Sequence, residues 1–175
     1  MTDQVSHGPR ARSKDREDER LHDAAEDVSD AVLAASRLFM AISARALAAI
    51  DPALTLPQLR TLVVLHGEGP VKLAALAAAL DVNPSTAMRM VDKLEAHGLV
   101  DRQVNPGNRR EVILRLTRDG RHLVDQVMAH RHREIAEIVG RLPARRRTDL
   151  VRSLRELIAA ADEPALGMPE DARHG

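Results

Sequence analysis

The stretch Val71–Leu116, VKLAALAAALDVNPSTAMRMVDKLEAHGLVDRQVNPGNRREVILRL, decides the fold of this 175-residue chain, because its periodicity changes part-way along. The first part reads as two short helices. Lys72 to Leu80 is rich in Ala and Leu and stops at Asp81; a turn of Asp81 and Val82 follows, and Asn83 with Pro84 opens the second helix. Asn at the cap position accepts free N–H groups of the first turn, and Pro at the first helical position has no N–H to leave unsatisfied. The second helix runs to Gly98, a residue suited to the backbone conformation that ends helices. Ala87, Met90, Val91 and Leu94 recur at i, i+3, i+4 and i+7 and are expected to face inward. Ser85, Met88, Arg89 and Asp92 then point outward, with Thr86 and Lys93 flanking. A small, polar and basic outer face fits a DNA major groove.

Beyond Gly98 the period falls from 3.6 to 2. Leu99 to Val104 and Glu111 to Leu116 are predicted strands, joined by Asn105, Pro106, Gly107 and Asn108, where Pro before Gly suits a type II turn. Val112, Leu114 and Leu116 alternate with Ile113 and Arg115, so one face packs on the helices, while Arg109 and Arg110 project at the tip.

Upstream, Thr55 and Gln58 have capping-box spacing at the start of a short helix, Leu56 to His66, that Gly67 and Gly69 stop. Ahead of it a long helix is expected from Asp23, with Val28, Val32, Ala35, Leu38, Phe39, Ile42, Ala46 and Ala49 as its apolar stripe, ending at Asp51 and Pro52. Residues 1–22 mix Arg10, Arg12, Lys14, Arg16 and Arg20 with Asp15, Glu17, Asp18 and Glu19 and almost no apolar side chain, which predicts a mobile charged tail. Downstream, Thr117 can cap a long helix from Arg118 to about Val139 with Leu123, Val127, Ile135, Ile138 and Leu142 as its stripe. A last helix, about Arg147 to Ala161, carries Leu150, Val151, Leu154, Leu157 and Ile158, and Pro164, Gly167 and Pro169 mark a frayed end over 163–175. One domain over 23–162 results, in which helices 23–50 and 118–161 flank a lobe at 55–117.

Composition narrows the function. Hydrophobic residues make up 44% but aromatics only 1%, a lone Phe39, which suits packed helices and removes the platforms on which single-stranded nucleic acid stacks. With no cysteine there is no disulfide, thiolate metal site or thiol switch. Lys+Arg and Asp+Glu are both 26, so any nucleic-acid site must be a local patch. The N-terminal stretch MTDQVSHGPRARSKDRED has no apolar core of a signal peptide, and no segment approaches ~20 consecutive apolar residues, so a soluble cytoplasmic protein is expected. No Gly-rich phosphate loop, Cys nucleophile or Ser-His-Asp signature suggests an enzyme.

With this order of elements the chain resembles MarR-type winged helix-turn-helix regulators over roughly Val28 to Ala161. The most specific part is PSTAMRMVDKLEAHGLVDRQVNPGNRREVILRLTRDG, which follows the family pattern of recognition helix, Gly-Leu-Val, wing with Arg-Arg at its tip, then Leu-Thr and Gly. The resemblance implies a mainly α fold with a small β-hairpin wing, and a homodimer interlocked through its N- and C-terminal helices. It implies a repressor that holds a pseudo-palindromic double-stranded operator and is relieved by a small anionic or phenolic ligand, without a cofactor. The chain departs from the family at Asn108, where an Asp is usual; the hydrogen-bonding shape stays and the charge is lost.

On this resemblance Ser85, Thr86, Met88, Arg89 and Lys93 are assigned to the major groove or its rim, with Arg89 as base reader through guanine O6 and N7. Ser85 and Thr86 bond phosphate beside free N–H groups, and Met88 touches a thymine methyl. Asn108, Arg109 and Arg110 form the wing contact in the minor groove or on its phosphates. The alternative for Arg89 and Lys93 is simple pairing with Asp92 or Glu95. From Pro84 to Leu116 six basic residues face four acidic ones, so position matters more than total charge. A denser cluster, Arg141, Arg145, Arg146, Arg147, Arg152 and Arg155, falls on expected dimer helices and is read as solvated or paired across the dimer. Arg37, Arg45, Arg60 and His66 are candidate partners for an anionic effector. Ligand-independent DNA organisation or protein interaction is the alternative function. A metal-responsive regulator, built on His130 and Glu134 with His122 and His132 nearby, is the weaker one, because His130 and His132 point to different helix faces.

Overall fold

The computed structural model describes residues 9–105 and 108–161, with side chains for 25–104 and 112–161. Residues 1–8, the 163–175 tail and the Pro106–Gly107 turn, with its expected type, lie outside the described residues. The chain divides into two units, Met1–Ala41 and Ile42–Gly175.

The first unit holds most of helix α1 (Pro9–Ile50). This helix begins well before Asp23, so residues 9–22, expected in the mobile tail, are helical backbone. The physical reason is cheap extension: Arg, Lys and Glu are strong helix formers, and propagation from a nucleated helix costs little. Val28 and Met40 on this helix are 60% and 61% exposed, and Val32, Leu33 and Leu38 are exposed too. Its segment Ala25–Ile50 is long and apolar enough to cross a membrane by length and mean hydropathy, although Glu26, Asp27, Asp30, Arg37 and Arg45 interrupt it.

In the second unit, the last turns of α1 supply Ile42, Ala46 and Leu47 to the core. Helix α2 (Leu56–Glu68) follows, its start fixed by Gln58, whose Oε1 accepts the Thr55 N–H at 2.8 Å and the Thr55 hydroxyl at 2.8 Å. Gly69 stands beyond its end at φ 73°, but the helix runs through Gly67, two residues past the expected His66. Next comes an element the periodicity does not signal, strand β1 (Val71–Lys72), before helix α3 (Leu73–Leu80). Helix α4 (Pro84–Ala96) is capped as its sequence predicts: Asn83 Oδ1 accepts the Thr86 N–H at 2.8 Å. Strands β2 (Val100–Asn105) and β3 (Asn108–Leu116) form the hairpin, and helices α5 (Arg118–Gly140) and α6 (Ala144–Ala160) complete the chain.

The sheet has three antiparallel strands in the order β1-β3-β2, so the expected two-strand hairpin gains β1 on its inner edge. Val71 pairs with Leu114, Val100 with Leu116 and Val104 with Val112, with an irregularity at Val104/Asn105. Leu114 and Leu116 are buried, but Val112 is 40% exposed, because the hairpin runs out past the helices that cover its base. One core joins Leu62 and Leu65 of α2, Leu76 and Leu80 of α3, Val91 and Leu94 of α4, and Val124 and Val127 of α5. Leu123 lies at its margin, while Ile135 and Ile138 are only half-buried and Leu142 is exposed. Helix α6 buries no residue at all; Leu150, Val151, Leu154, Leu157 and Ile158 are all exposed.

Candidate nucleic-acid interface

The inward face of α4 is the expected one: Ala87, Val91 and Leu94 are fully buried and Met90 is half-buried. Geometry then leaves Ser85, Arg89 and Lys93 exposed, with Thr86 and Met88 half-exposed. The first turn is ordered by its own side chains. The Ser85 hydroxyl donates to Asn83 Oδ1 at 2.7 Å, and Arg89 Nη2 donates to Thr86 Oγ1 at 3.2 Å, which braces the guanidinium over the N-terminal turn. Among the described residues neither Arg89 nor Lys93 forms an ion pair with Asp92 or Glu95.

Those two carboxylates are occupied by a residue that no local pattern singles out. Arg102, on β2, pairs with Asp92 through Nη2, and its Nε lies 2.9 Å from Glu95 Oε2, an ion-pair contact rather than an aligned hydrogen bond. Its side chain is only 25% exposed. Arg102 thus ties the wing to α4 and offsets one of the two negative charges on its outer side. The adjacent Arg115 and Asp101 pair across β2 and β3, with Arg115 Nε and Nη2 both donating to Asp101 Oδ2, at 3.1 and 3.0 Å. Like-signed crowding is avoided, and Arg89 and Lys93 remain as the cations on the exposed face of α4.

Asn108, Arg109 and Arg110 stand at the start of β3, Asn108 opposite Asn105 in the ladder; their side chains lie outside the described residues. Their backbone therefore belongs at the outer end of the hairpin.

Behind α4 the chain is locked to α5. Gly98 takes φ 70°, a left-handed value that a side chain rarely adopts. Leu99 C=O accepts the Thr117 N–H at 3.0 Å, the Thr117 hydroxyl donates to Gly98 C=O at 2.7 Å, and Thr117 Oγ1 accepts the Gly120 N–H at 3.0 Å as the α5 cap. At Gly120 an added Cβ would sit 2.1 Å from the Leu99 carbonyl oxygen, so only glycine permits this approach. The junction between α4 and the wing is thus seated directly on the first turn of α5. An open cleft of about 480 Å³ beside it is lined by Glu95, Asp101, Arg115, Thr117, Arg118 and Arg121 among others.

Of the four residues considered for an effector, two face acids of α5. Arg45 pairs with Glu134 of α5 through Nη2 and Nε, and His66 Nε2 lies 3.2 Å from Asp125 of α5. Asp125 and Glu134 are nine positions apart, about 13 Å along the helix. Arg60 is exposed on α2 and Arg37 is exposed in the first unit; none of the four lines the cleft at the wing base. Glu134, half of the weaker metal alternative, has its carboxylate engaged by Arg45, and among the described residues no three His, Asp or Glu side chains assemble as metal ligands.

Comparison with known proteins meets this geometry. The MarR family profile matches residues 54–112. The HTH-type transcriptional repressor NicR of Pseudomonas putida is 39% identical over 111 residues, covering 63% of this chain and 70% of that protein. The chain belongs to the MarR family. The crystal structure of the MarR-family chain's relative RV1404 from Mycobacterium tuberculosis is 46% identical, with a TM-score of 0.74 over 79% of this chain and 94% of that one. A structure of Bordetella bronchiseptica BpsR, described as showing regulation of its DNA binding by 6-hydroxynicotinic acid, is 26% identical with a TM-score of 0.57, covering 78% and 94%. This MarR-family chain is accordingly a transcriptional regulator of the DNA-binding kind, with the winged helix of its relatives.

Proposed function

We propose that this MarR-family protein is a dimeric, cytoplasmic repressor that reads a pseudo-palindromic operator and releases it when a small anionic or phenolic ligand binds. The observation that carries the DNA-reading part is the α4 surface. Among the described residues Arg89 and Lys93 have no acidic partner, and Asp92 and Glu95 pair with Arg102. Arg89 is the base reader, Ser85 and Thr86 hold phosphate at the helix N-terminus, Met88 makes an apolar contact, Lys93 lies at the rim, and Asn108, Arg109 and Arg110 carry the wing contact.

Dimerisation is supported by α6, whose apolar side chains are exposed among the described residues, and by the exposed apolar side chains of α1. A ligand-driven mechanism follows from the seat of the wing on α5. A change in the tilt of α5 moves Leu99 and Gly98 with it, because the Thr117 and Gly120 contacts leave no slack. A ligand that prefers the spacing unable to span two half-sites lowers operator affinity by population shift. That BpsR is regulated by 6-hydroxynicotinic acid supports an aromatic acid as the first compound to titrate. Of the candidate effector residues, Arg60, exposed on α2, is the one proposed to meet such an anion, since Arg45 and His66 face Glu134 and Asp125 of α5.

The test is a gel-shift comparison of wild type with Arg89→Ala on selected and scrambled duplexes. Loss of a bidentate guanine contact removes ~1–3 kcal/mol of discrimination, roughly 5- to 150-fold. An unchanged preference for the selected duplex would remove Arg89 from the reading role.

A further inference from the structure

One concentration of charge has no part in operator reading. Between Arg141 and Arg147, at the corner joining α5 to α6, four of seven residues are arginines and none is acidic. Arg141, Arg145, Arg146 and Arg147 are all exposed, and among the described residues none forms an ion pair; on the same helix Arg152 is neutralised by Asp149 at 2.9 Å. The first turn of α6 contains no acidic residue and its cap, Pro143, offers no side-chain hydrogen bond, so the positive end of the helix dipole adds to the arginines. A chain whose Lys+Arg and Asp+Glu are equal at 26 each thus carries a locally uncompensated cationic corner.

The arrangement selects among anions. Arg145, Arg146 and Arg147 are consecutive on a helix, so they radiate about 100° apart and do not converge on one small anion. Diffuse positive charge of this kind suits an extended polyanion, which gains from counterion release and needs no fixed geometry. With Phe39 the only aromatic residue, base stacking has no platform, so a duplex is favoured over a single strand. Position completes the case. The corner ends α5 while the wing base begins it, 23 residues and about 33 Å away along the helix, so the corner stands apart from the surface proposed to read the operator.

We infer that the α5–α6 corner is a second, sequence-independent binding surface for the phosphate backbone of another duplex DNA segment, which lets one protein hold two segments together. The inference rests on the DNA-reading function proposed above, and the assay separates the two. Full-length protein is saturated onto a bead-bound selected duplex, and capture of a labelled, unrelated duplex is measured from 50 to 200 mM salt. Wild type is expected to capture it, with a slope near −3.6 for about four phosphates, a roughly 100-fold loss across that range. The variant R141Q/R145Q/R146Q/R147Q is expected to occupy the beads as wild type does, keep its oligomeric mass, and lose capture at least tenfold. Arg→Lys at the same four positions is expected to keep capture, because point charges suffice. No capture by wild type at 50 mM salt, equal capture by the glutamine variant, or loss of bead occupancy in that variant overturns the inference. Failure of wild type to occupy the beads at all would instead refute the DNA-reading function.

Discussion

Replacing Arg102 with Met tests how the reading surface is kept positive. The substitution keeps length and apolar volume but removes the guanidinium that pairs with Asp92 and Glu95, whose side chains are 55% and 45% exposed. Two ion pairs in such a setting contribute about 0.5–1 kcal/mol each, so unfolding stability should fall by about 1–2 kcal/mol. The second effect is on DNA. From Pro84 to Leu116 six basic residues face four acidic ones, so removing Arg102 halves the positive excess and leaves two carboxylates uncompensated on the outer side of α4. At about 7 Å from a phosphate in water, the loss of one positive charge costs roughly 0.6 kcal/mol, about threefold in affinity. Operator affinity by fluorescence anisotropy at fixed salt is the assay, with circular dichroism confirming that the fold persists. Adding Asp92→Asn and Glu95→Gln to Arg102→Met should restore affinity to within about twofold, because the repelling charges are gone. Wild-type affinity in Arg102→Met, or a folded triple variant that is not rescued, would refute the electrostatic reasoning.

Other perturbations test the remaining parts. Arg109→Ala with Arg110→Ala should reduce the salt slope of operator binding by about 1.8, two phosphate contacts at ~0.9 each; an unchanged slope takes the wing out of the interface. Gly120→Ala forces a Cβ toward the Leu99 carbonyl, so denaturant unfolding should show a loss of about 1–3 kcal/mol, and wild-type stability would mean that the α5 seat is loose. Leu154→Glu places a charge on the uncovered face of α6, and sedimentation should show monomers at concentrations where wild type is dimeric; an unaltered dimer would move the interface elsewhere.

What was legible in the sequence was local. The Asn83–Pro84 start, the Thr55–Gln58 cap and the inward placement of Ala87, Val91 and Leu94 each follow from contacts within one or two helical turns, and the structure has them. Strand β1 was not legible, since two residues carry no period and pair only because β3 is beside them. The turn expected at Asp81 and Val82 is present, and Asp81 takes φ 56°, a conformation that Asp tolerates. Of the reading surface, the exposed side chains could be assigned by helical spacing, but the Arg102 clamp could not, because it joins a strand to a helix through the fold. The Arg45–Glu134 pair, 89 positions apart, is hidden for the same reason. The early start of α6 at Ala144 was obscured by an apolar pattern that begins only at Leu150.

Selection of bound duplexes from a random pool, followed by footprinting of the best sequence at stated salt, tests the central claim most directly. A two-fold reader with one α4 per subunit predicts a pseudo-palindrome whose half-sites lie one helical turn apart, ~34–36 Å, both protected together. Enrichment of a single half-site, or of no sequence at all, would contradict it.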